Sequence, residues 1–330
     1  MNNSIWLNGI MGLVVGDALG SPLQFHRRED FIDNPITEME YCNIFNTPPG
    51  SFTDDSSLAI ATLDSLINNK GYNLEDIASC FVKWLQQGEY TPFGKAYDIG
   101  YGCENGIRRF MVTGDPLTSG GADVNNNGNG SLMRIMPMCL YAYERQKRVC
   151  TSDNEAIQMI HDASGITHRH LRSQMACGLY FYMVKEILDN HMSENKQSMQ
   201  ECLQAGINSG LKYYGQDIRN YTEISYFGRL FDLDEFKVIP SEDISTSGYV
   251  IHSIEAAIYN LITTDSYEDC LIQAVNMGED ADTVGAIAGG LAGLYYGHEA
   301  IPNRWTSVIV RREYIEQLCA DAEKIWNNNI

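Results

Sequence analysis

The chain has 330 residues, 44% of them hydrophobic and 20% charged, which is enough apolar sequence for a sizeable core in one large domain or two. Its formal net charge of −20 argues against a nucleic-acid partner, because no basic patch could easily dominate that field. The same charge opposes an anionic ligand unless metals, backbone N–H groups or a few arginines favour it locally.

Signals for secretion or membrane insertion are weak. The N-terminus has no basic segment, and the apolar run after Thr283 has roughly thirteen residues, fewer than the ~18–20 that span a bilayer. Nine cysteines are scattered without a Cys-x-x-Cys spacing. We interpret them as reduced, mostly buried thiols and expect a soluble cytoplasmic protein with no membrane partner.

Two helices are predicted to carry stripes of glycine. The first helix, over residues 5–20, has glycines at 9, 12, 16 and 20, and the late helix has them at 285, 289, 293 and 297. Each glycine costs a helix interior up to ~1 kcal/mol relative to alanine, so both stripes need a compensating close approach. Either the two helices pack against each other, which would join the chain ends, or other helices fill the grooves.

The middle of the chain also has helical periodicity. Residues 21–52 are predicted as loop because they are rich in Pro, Asn and Asp, and residues 189–245 as short helices and loops. Spacing of apolar residues predicts further helices over 55–69, 74–85, 173–188 and a segment that ends at Leu261. Strict two-residue alternation is scarce, so the predicted fold class is all-α.

A polar, glycine-rich loop lies ahead of the apolar, helix-like run 132–143. Such a loop, where it runs into a helix, exposes backbone N–H groups that could cradle a diphosphate. The candidate residues are Gly128, Asn129, Gly130 and Ser131. The loop lacks the lysine of a P-loop and the Gly-x-Gly-x-x-Gly fingerprint, so a surface loop without function is the open alternative.

Two clusters of oxygen-bearing side chains open helices at opposite ends of the chain. They comprise Thr53, Asp54, Asp55, Asp280, Asp282 and Thr283. Oxygen ligands suit Mg²⁺, Mn²⁺ or Ca²⁺, and four carboxylates could balance two divalent ions in one centre. The alternative is that these residues are ordinary helix caps, although capping and ligation are compatible for the threonines.

Three blocks carry a family resemblance. They are PPGSFTDDS over 48–56, NGSLMRIMP over 129–137 and GEDADT over 278–283. In this order they resemble the signature blocks of the ADP-ribosylglycohydrolase family, and the likeness extends from about residue 9 to 297. It implies a compact orthogonal helical bundle with two Mg²⁺ or Mn²⁺ ions. Because both clusters must meet and no linker is evident, we expect a single domain over 1–330.

The resemblance also implies roles for three other residues. Asp98 lies in a Tyr-Asp-Ile-Gly stretch similar to the family's substrate side, His168 in a Thr-His pair that contacts the nucleotide, and Tyr249 matches an aromatic that lies against ADP-ribose. Without the resemblance these are a helix-start acid, a surface histidine and a core tyrosine.

One position departs from the family pattern. Many relatives have glutamate where this chain has Gln24, and glutamine cannot act as a general base at neutral pH. We therefore assign Asp98, Asp55 and Asp282 as the catalytic residues, with Asp282 as the candidate bridging ligand.

The predicted function is hydrolysis at the anomeric carbon of the distal ribose, which would release ADP-ribose from a protein side chain, with arginine the favoured linkage. One rival is a catalytically weak or inactive ADP-ribose-binding protein, as in the crystallins that resemble this family or in an immunity protein. The other is a two-metal phosphohydrolase, which would need basic residues beside the metals. The sequence does not identify the modified target.

Overall fold

The computed structural model describes residues 4–327, and within them it contains helices and no β-strand, which confirms the all-α prediction. The α-helices are α1 Ile5–Gly20, α2 Asp54–Asn69, α3 Leu74–Gln87, α4 Tyr101–Thr113, α5 Pro116–Ser119, α6 Met136–Val149, α7 Asp153–Gly165, α8 Leu171–Asn190, α9 Met199–Tyr214, α10 Tyr221–Ile224, α11 Leu233–Lys237, α12 Val250–Thr263, α13 Tyr267–Val275, α14 Ala281–Tyr296, α15 Asn303–Thr306 and α16 Arg312–Asn327. Short 3₁₀ turns lie at Ser21–Leu23, Arg28–Phe31, Ile218–Asn220, Ser225–Phe231, Ser241–Asp243 and His298–Ala300.

Local sequence sets several helix boundaries. Asn73 caps α3 by accepting a backbone hydrogen bond at 3.1 Å, and α3 ends before Gly88, whose φ of +69° favours glycine. Ser152 and Glu155 form a capping box at the start of α7. These short-range signals explain why most predicted helices agree with the structure to within about two residues.

Two segments differ from the sequence predictions. The run predicted to be helical from residue 132 forms turns first, and α6 begins only at Met136. The segment 189–245, predicted as short helices and loops, contains the full-length helix α9. Glycines weaken its helical pattern, but Gly206 allows close approach to α8, since a Cβ there would lie 2.7 Å from the Met183 backbone.

Helices α1 and α14 pack directly against each other, as one of the two alternatives for the glycine stripes predicted. A Cβ added to Gly16 would lie 2.0 Å from the carbonyl oxygen of Gly285, and one on Gly289 would lie 2.3 Å from that of Gly12. The backbones are therefore in contact without intervening side chains. This pairing joins the start of the chain to its last fifth.

The other helices surround this pair. Buried apolar side chains form one cluster that runs from Trp6 to Trp326, and these two rings stack at 5.0 Å between centroids. All nine cysteines lie in the described part of the chain, where none forms a disulfide and only Cys150 is exposed. Among residues 4–327, no helix combines the length and apolar character needed to cross a bilayer.

The α1–α14 contact predicts a large effect of one methyl group. Gly289→Ala should lower the free energy of unfolding by about 1–3 kcal/mol, because the added carbon meets a backbone carbonyl that cannot rotate away. Urea unfolding measures this change. Gly228→Ala is the matched control, since a Cβ there has no atom within 4 Å. Equal stability of the two variants would contradict the close packing.

Candidate functional site

The two carboxylate clusters lie together at the N-terminal ends of α2 and α14. The α1–α14 contact continues to this point, since a Cβ on Gly20 would lie 2.5 Å from the Cα of Asp282. Asp54, Asp55 and Asp280 line one cleft of about 770 Å³. The cleft is also lined by Gln24, Asp98, Gly128, Asn129, Gly130, His168 and Thr283.

Neither cluster caps its own helix with a side chain. Thr53 and Asp280 occupy the N-cap positions of α2 and α14, but neither makes a side-chain capping bond. The Thr53 hydroxyl instead shares its one hydrogen between the carboxylates of Asp17, at 3.0 Å, and Asp55, at 3.2 Å. The capping alternative for these two residues is therefore not realised, and of the two only Asp280 lines the cleft.

Asp17 of α1 caps α2 in their place. Its buried carboxylate accepts hydrogen bonds from the backbone N–H groups of Thr53 and Ser56 at 3.0 Å, and from both hydroxyls. Burial raises the pKa of Asp17 to about 6, although these four donors favour the charged form. Sequence reasoning did not assign this residue. The available signal was an acid in the last turn of an otherwise largely apolar helix, where a carboxylate needs partners.

Burial and mutual repulsion dominate the electrostatics of the clusters. Burial first, and then the neighbouring carboxylates, raise the pKa values of Asp54, Asp55 and Asp282 well above the ordinary range. None of the ion pairs of residues 4–327 joins these acids to a lysine or arginine. Arg27 is the one lysine or arginine among the described residues that line the cleft.

Several carboxylate oxygens at this site are buried without a hydrogen-bond partner. They are Asp55 Oδ1, Asp98 Oδ2 and both oxygens of Asp282. Such orphans are rare in folded proteins, because an unpaired buried polar atom costs about 1–3 kcal/mol. Within the described residues, no three Asp, Glu, His or Cys side chains are already grouped so that they could hold a metal ion. The carboxylates are therefore close together, but they are not arranged as a complete set of metal ligands.

Asp98 approaches the clusters from a separate loop. It lies ahead of α4 with φ of +53°, and α4 has no side-chain cap, so Asp98 is not a helix-start acid. Burial raises the pKa of Asp98 to about 6, and its neighbours Gln24 and Asp282 oppose that shift. Gln24 itself is buried, with 5% of its surface exposed.

The glycine-rich loop faces the N-terminus of α4 across His168. A Cβ on Gly102 would lie 2.6 Å from His168 Nε2, and one on Gly130 would lie 2.8 Å from its Cε1. Only glycine therefore fits beside the imidazole at both positions. The Asn129 amide donates to Asp280 at 2.6 Å, which ties the loop to the carboxylates. The first N–H groups of α4 have no helical acceptor and no side-chain cap.

A hydrogen-bond relay connects Arg134 to His168 through Thr167. Arg134 donates to the Thr167 hydroxyl at 2.8 Å, and that hydroxyl lies 2.9 Å from His168 Nδ1. We assign the hydrogen of this hydroxyl to Nδ1, which places the ring N–H on Nε2 toward the cleft. Burial, and then Arg134, lower the pKa of His168 to about 3, so the ring is neutral.

Two predicted binding residues do not present their side chains to the cleft. The Ser131 hydroxyl points into the core, where it accepts from Ser164 at 2.9 Å. The Tyr249 hydroxyl accepts from Arg172 at 2.9 Å, and Arg172 in turn donates to Glu223. The Tyr249 backbone borders the glycine-rich loop through a bridge to Gly128. Thr53 and Asp282 lie behind the residues that line the cleft.

The fold agrees with that of a known protein. A solved structure described as an ADP-ribosylglycohydrolase-related protein complex superposes with a TM-score of 0.77 at 28% identity, covering 99% of both chains. The sequence profile of the ADP-ribosylglycohydrolase family matches residues 6–329. The chain belongs to this family, and it is by class a hydrolase of ADP-ribosyl glycosidic bonds.

Several curated relatives are similar along most of their length. An ADP-ribosyl-[dinitrogen reductase] glycohydrolase of Rhodospirillum rubrum is 29% identical over 95% of this chain and 94% of its own. The ADP-ribosylarginine hydrolase Tri1 of Pseudomonas putida is 26% identical over 94% of this chain and 76% of its own. Human ADP-ribosylhydrolase ARH3 is 26% identical, with 97% and 93% covered.

The capping role of Asp17 predicts a marked loss of stability in Asp17→Asn. The amide would set N–H against the N–H groups of α2, so unfolding should become easier by about 1–3 kcal/mol, as measured in urea. Asp232→Asn is the control, because Asp232 is an exposed cap that accepts two backbone bonds and asparagine caps equally well. If Asp17→Asn and Asp232→Asn both changed the free energy of unfolding by the same small amount, the capping role of Asp17 would be refuted.

Proposed function

We propose that the protein is a metal-dependent hydrolase that releases ADP-ribose from a modified protein side chain, with arginine as the favoured linkage. The observation that carries this proposal is the set of buried carboxylate oxygens without partners, which lie in or directly behind a cleft that also offers N–H donors. The name of the Pseudomonas relative supports the arginine linkage, and the name of the Rhodospirillum relative supports a modified protein as the substrate.

The residues present fit two divalent cations. Asp55 and Asp282 contribute three of the unpartnered oxygens, and no lysine or arginine of the described chain forms an ion pair with them. Hard oxygen donors suit Mg²⁺ or Mn²⁺. The proposed ligands are Thr53, Asp54, Asp55, Asp280, Asp282 and Thr283. When bound, the ions would supply Lewis acidity that orients ribose hydroxyls and lowers the pKa of a water.

The same cleft also offers donors for the diphosphate of ADP-ribose. The first turn of α4 presents free N–H groups, and its helix dipole favours an anion there. His168 Nε2–H lies between this turn and the Gly128–Gly130 loop, so it can donate to the same anion. A neutral donor suits this role, since it needs no proton from solution.

Asp98 is positioned to transfer the proton that the leaving group needs. It lies in the cleft outside both clusters, on a separate loop, and Gln24 beside it cannot ionise. Cleavage at the anomeric carbon develops oxocarbenium character, which the surrounding carboxylates stabilise.

Gln24 favours one second candidate function, an ADP-ribose-binding protein with weak or absent catalysis. The discriminating experiment supplies Mn²⁺ with arginine-, serine- and DNA-linked ADP-ribose and measures free ADP-ribose. Release from the arginine conjugate alone is the expected result. Tight ADP-ribose binding by calorimetry without release from any conjugate would favour the second candidate.

Metal removal should lower the melting temperature. Without cations the crowded carboxylates repel, whereas a hundredfold excess of an ion over its Kd stabilises a one-site protein by about 2.7 kcal/mol. Calorimetric melting before and after EDTA measures the effect, with metal content checked by mass spectrometry. Asp282→Asn should melt above the metal-free parent and lose tight metal binding. An unchanged melting temperature after confirmed metal removal would count against the centre.

Asp98 and Gln24 should respond differently to substitution. Asp98→Asn should lower turnover by about 10²–10⁴-fold, the usual contribution of a positioned acid or base, while metal content and ADP-ribose affinity stay close to the parent. Gln24→Glu should leave turnover the same or raise it. Steady-state kinetics and calorimetry on both variants test this. Full activity of Asp98→Asn would show that another group moves the proton.

A further inference from the structure

Phe25 occupies a turn position that normally requires glycine. The Leu23 carbonyl accepts from His26 N at 3.2 Å, Gln24 has φ −56° and ψ 140°, and Phe25 has φ +63°. These values describe a type II turn with Phe25 at its third residue. A left-handed conformation costs a residue with a Cβ roughly 1–2 kcal/mol, so the phenylalanine is strained.

The Phe25 ring is not needed by the core. It is 69% exposed, although it lines the mouth of the cleft. Two backbone bonds hold Phe25 and its neighbour in this turn, since Phe25 N donates to the Glu279 carbonyl and Glu279 N donates to the His26 carbonyl, both at 2.7 Å. A glycine would make the same bonds without strain. A strained and exposed aromatic at a functional cleft indicates a binding role.

The same cleft has a second left-handed residue, Asp98, which differs from Phe25 in being the polar member of its pair. Asp98 has φ +53°, and the next residue, Ile99, is 37% exposed at the cleft. Gln24 precedes Phe25 as Asp98 precedes Ile99. The two polar residues that face each other inside the cleft are thus each followed by an apolar side chain at its mouth. In the proposed reaction, the polypeptide attached to the bond near Asp98 would extend out of the cleft between Phe25 and Ile99.

We propose that Phe25, with Ile99, contacts the polypeptide that carries the ADP-ribosyl group, and that this polypeptide is a basic segment. This inference rests on the proposed function. Charge complementarity supports the basic partner, because two divalent ions would cancel only four of the chain's twenty excess negative charges. The exposed Glu279 shares the turn's hydrogen bonds, and the Phe25 ring can receive a guanidinium on its face.

Matched peptides and variants test the proposal. The ligands are free ADP-ribose, ADP-ribosyl-arginine, and ADP-ribosyl-arginine peptides with lysine and arginine or with serine as flanking residues. The proteins are the parent, Phe25→Gly, Phe25→Tyr and Phe93→Ala, because Phe93 is another half-exposed phenylalanine that does not line the cleft. KM, kcat, calorimetric Kd and melting temperature are measured for each.

Phe25→Gly should raise KM and Kd for the basic peptide about two- to fivefold, the range of an exposed cation–π contact. It should leave free ADP-ribose and ADP-ribosyl-arginine unaffected and melt no lower than the parent, because strain is relieved. Phe25→Tyr and Phe93→Ala should match the parent. The basic peptide's KM, unlike the serine peptide's, should rise with salt.

Three results would overturn the proposal. Equal weakening of free ADP-ribose would mean that Phe25 contacts the nucleotide. Unchanged peptide binding would remove any role at the acceptor, and a large fall in melting temperature would make the ring structural. If the parent hydrolyses neither conjugate, the proposed function fails, and the peptide Kd values still decide whether Phe25 contacts the acceptor.

Discussion

The contact of backbone on backbone between α1 and α14 is the constraint on which the site depends. With glycine at the crossing points, a carbonyl of one helix lies where the other would carry a Cβ. Two segments more than 250 residues apart are thereby held at a fixed distance and rotation. The same two helices deliver Asp17 and Asp282 to the start of α2. A small shift between the two helices would separate Asp282 from the start of α2, which Asp17 caps.

Asp17 caps α2 from another helix, and this explains how the acids that open α2 keep oxygens that could bind a ligand. A helix N-terminus needs acceptors, and here Asp17 supplies them from a neighbouring helix. Asp54 and Asp55 therefore keep oxygens for the cleft, at the expense of burying like charges together. Their raised pKa values and unpartnered oxygens describe a site that is unfavourable by itself. A site of this kind is stabilised by the cations it is proposed to bind.

Much of this arrangement could be predicted from local sequence, and the remainder depended on tertiary contacts. The glycine stripes gave the α1–α14 pairing as one of two alternatives, and the acid clusters gave the helix starts, because both signals have a fixed spacing. Asp17 was missed because its partners are 36 and 39 residues away. Helix α9 was missed because glycines that permit close packing against α8 also weaken helix propensity. The inward turn of Ser131 depends on Ser164, which no local pattern reveals.

An acidic chain that is expected to bind a diphosphate needs local positive potential, and the structure supplies it without surface lysines. Arg134 is buried behind the glycine-rich loop, and its partners are the carbonyls of Gly130 and Ala163, the Thr167 hydroxyl and the ring of Phe81. No carboxylate in the described chain forms an ion pair with it, so its charge is not cancelled at close range. Hydrogen bonds connect Arg134 to the cleft through Thr167 and His168. The last group in this chain is the N–H of His168, which lies beside the positive end of the α4 dipole. Burial strengthens each of these interactions, because the low local dielectric screens them less than water would. An anion in the cleft would therefore meet oriented N–H groups and a shielded guanidinium, while the acidic surface remains free to attract a basic macromolecule.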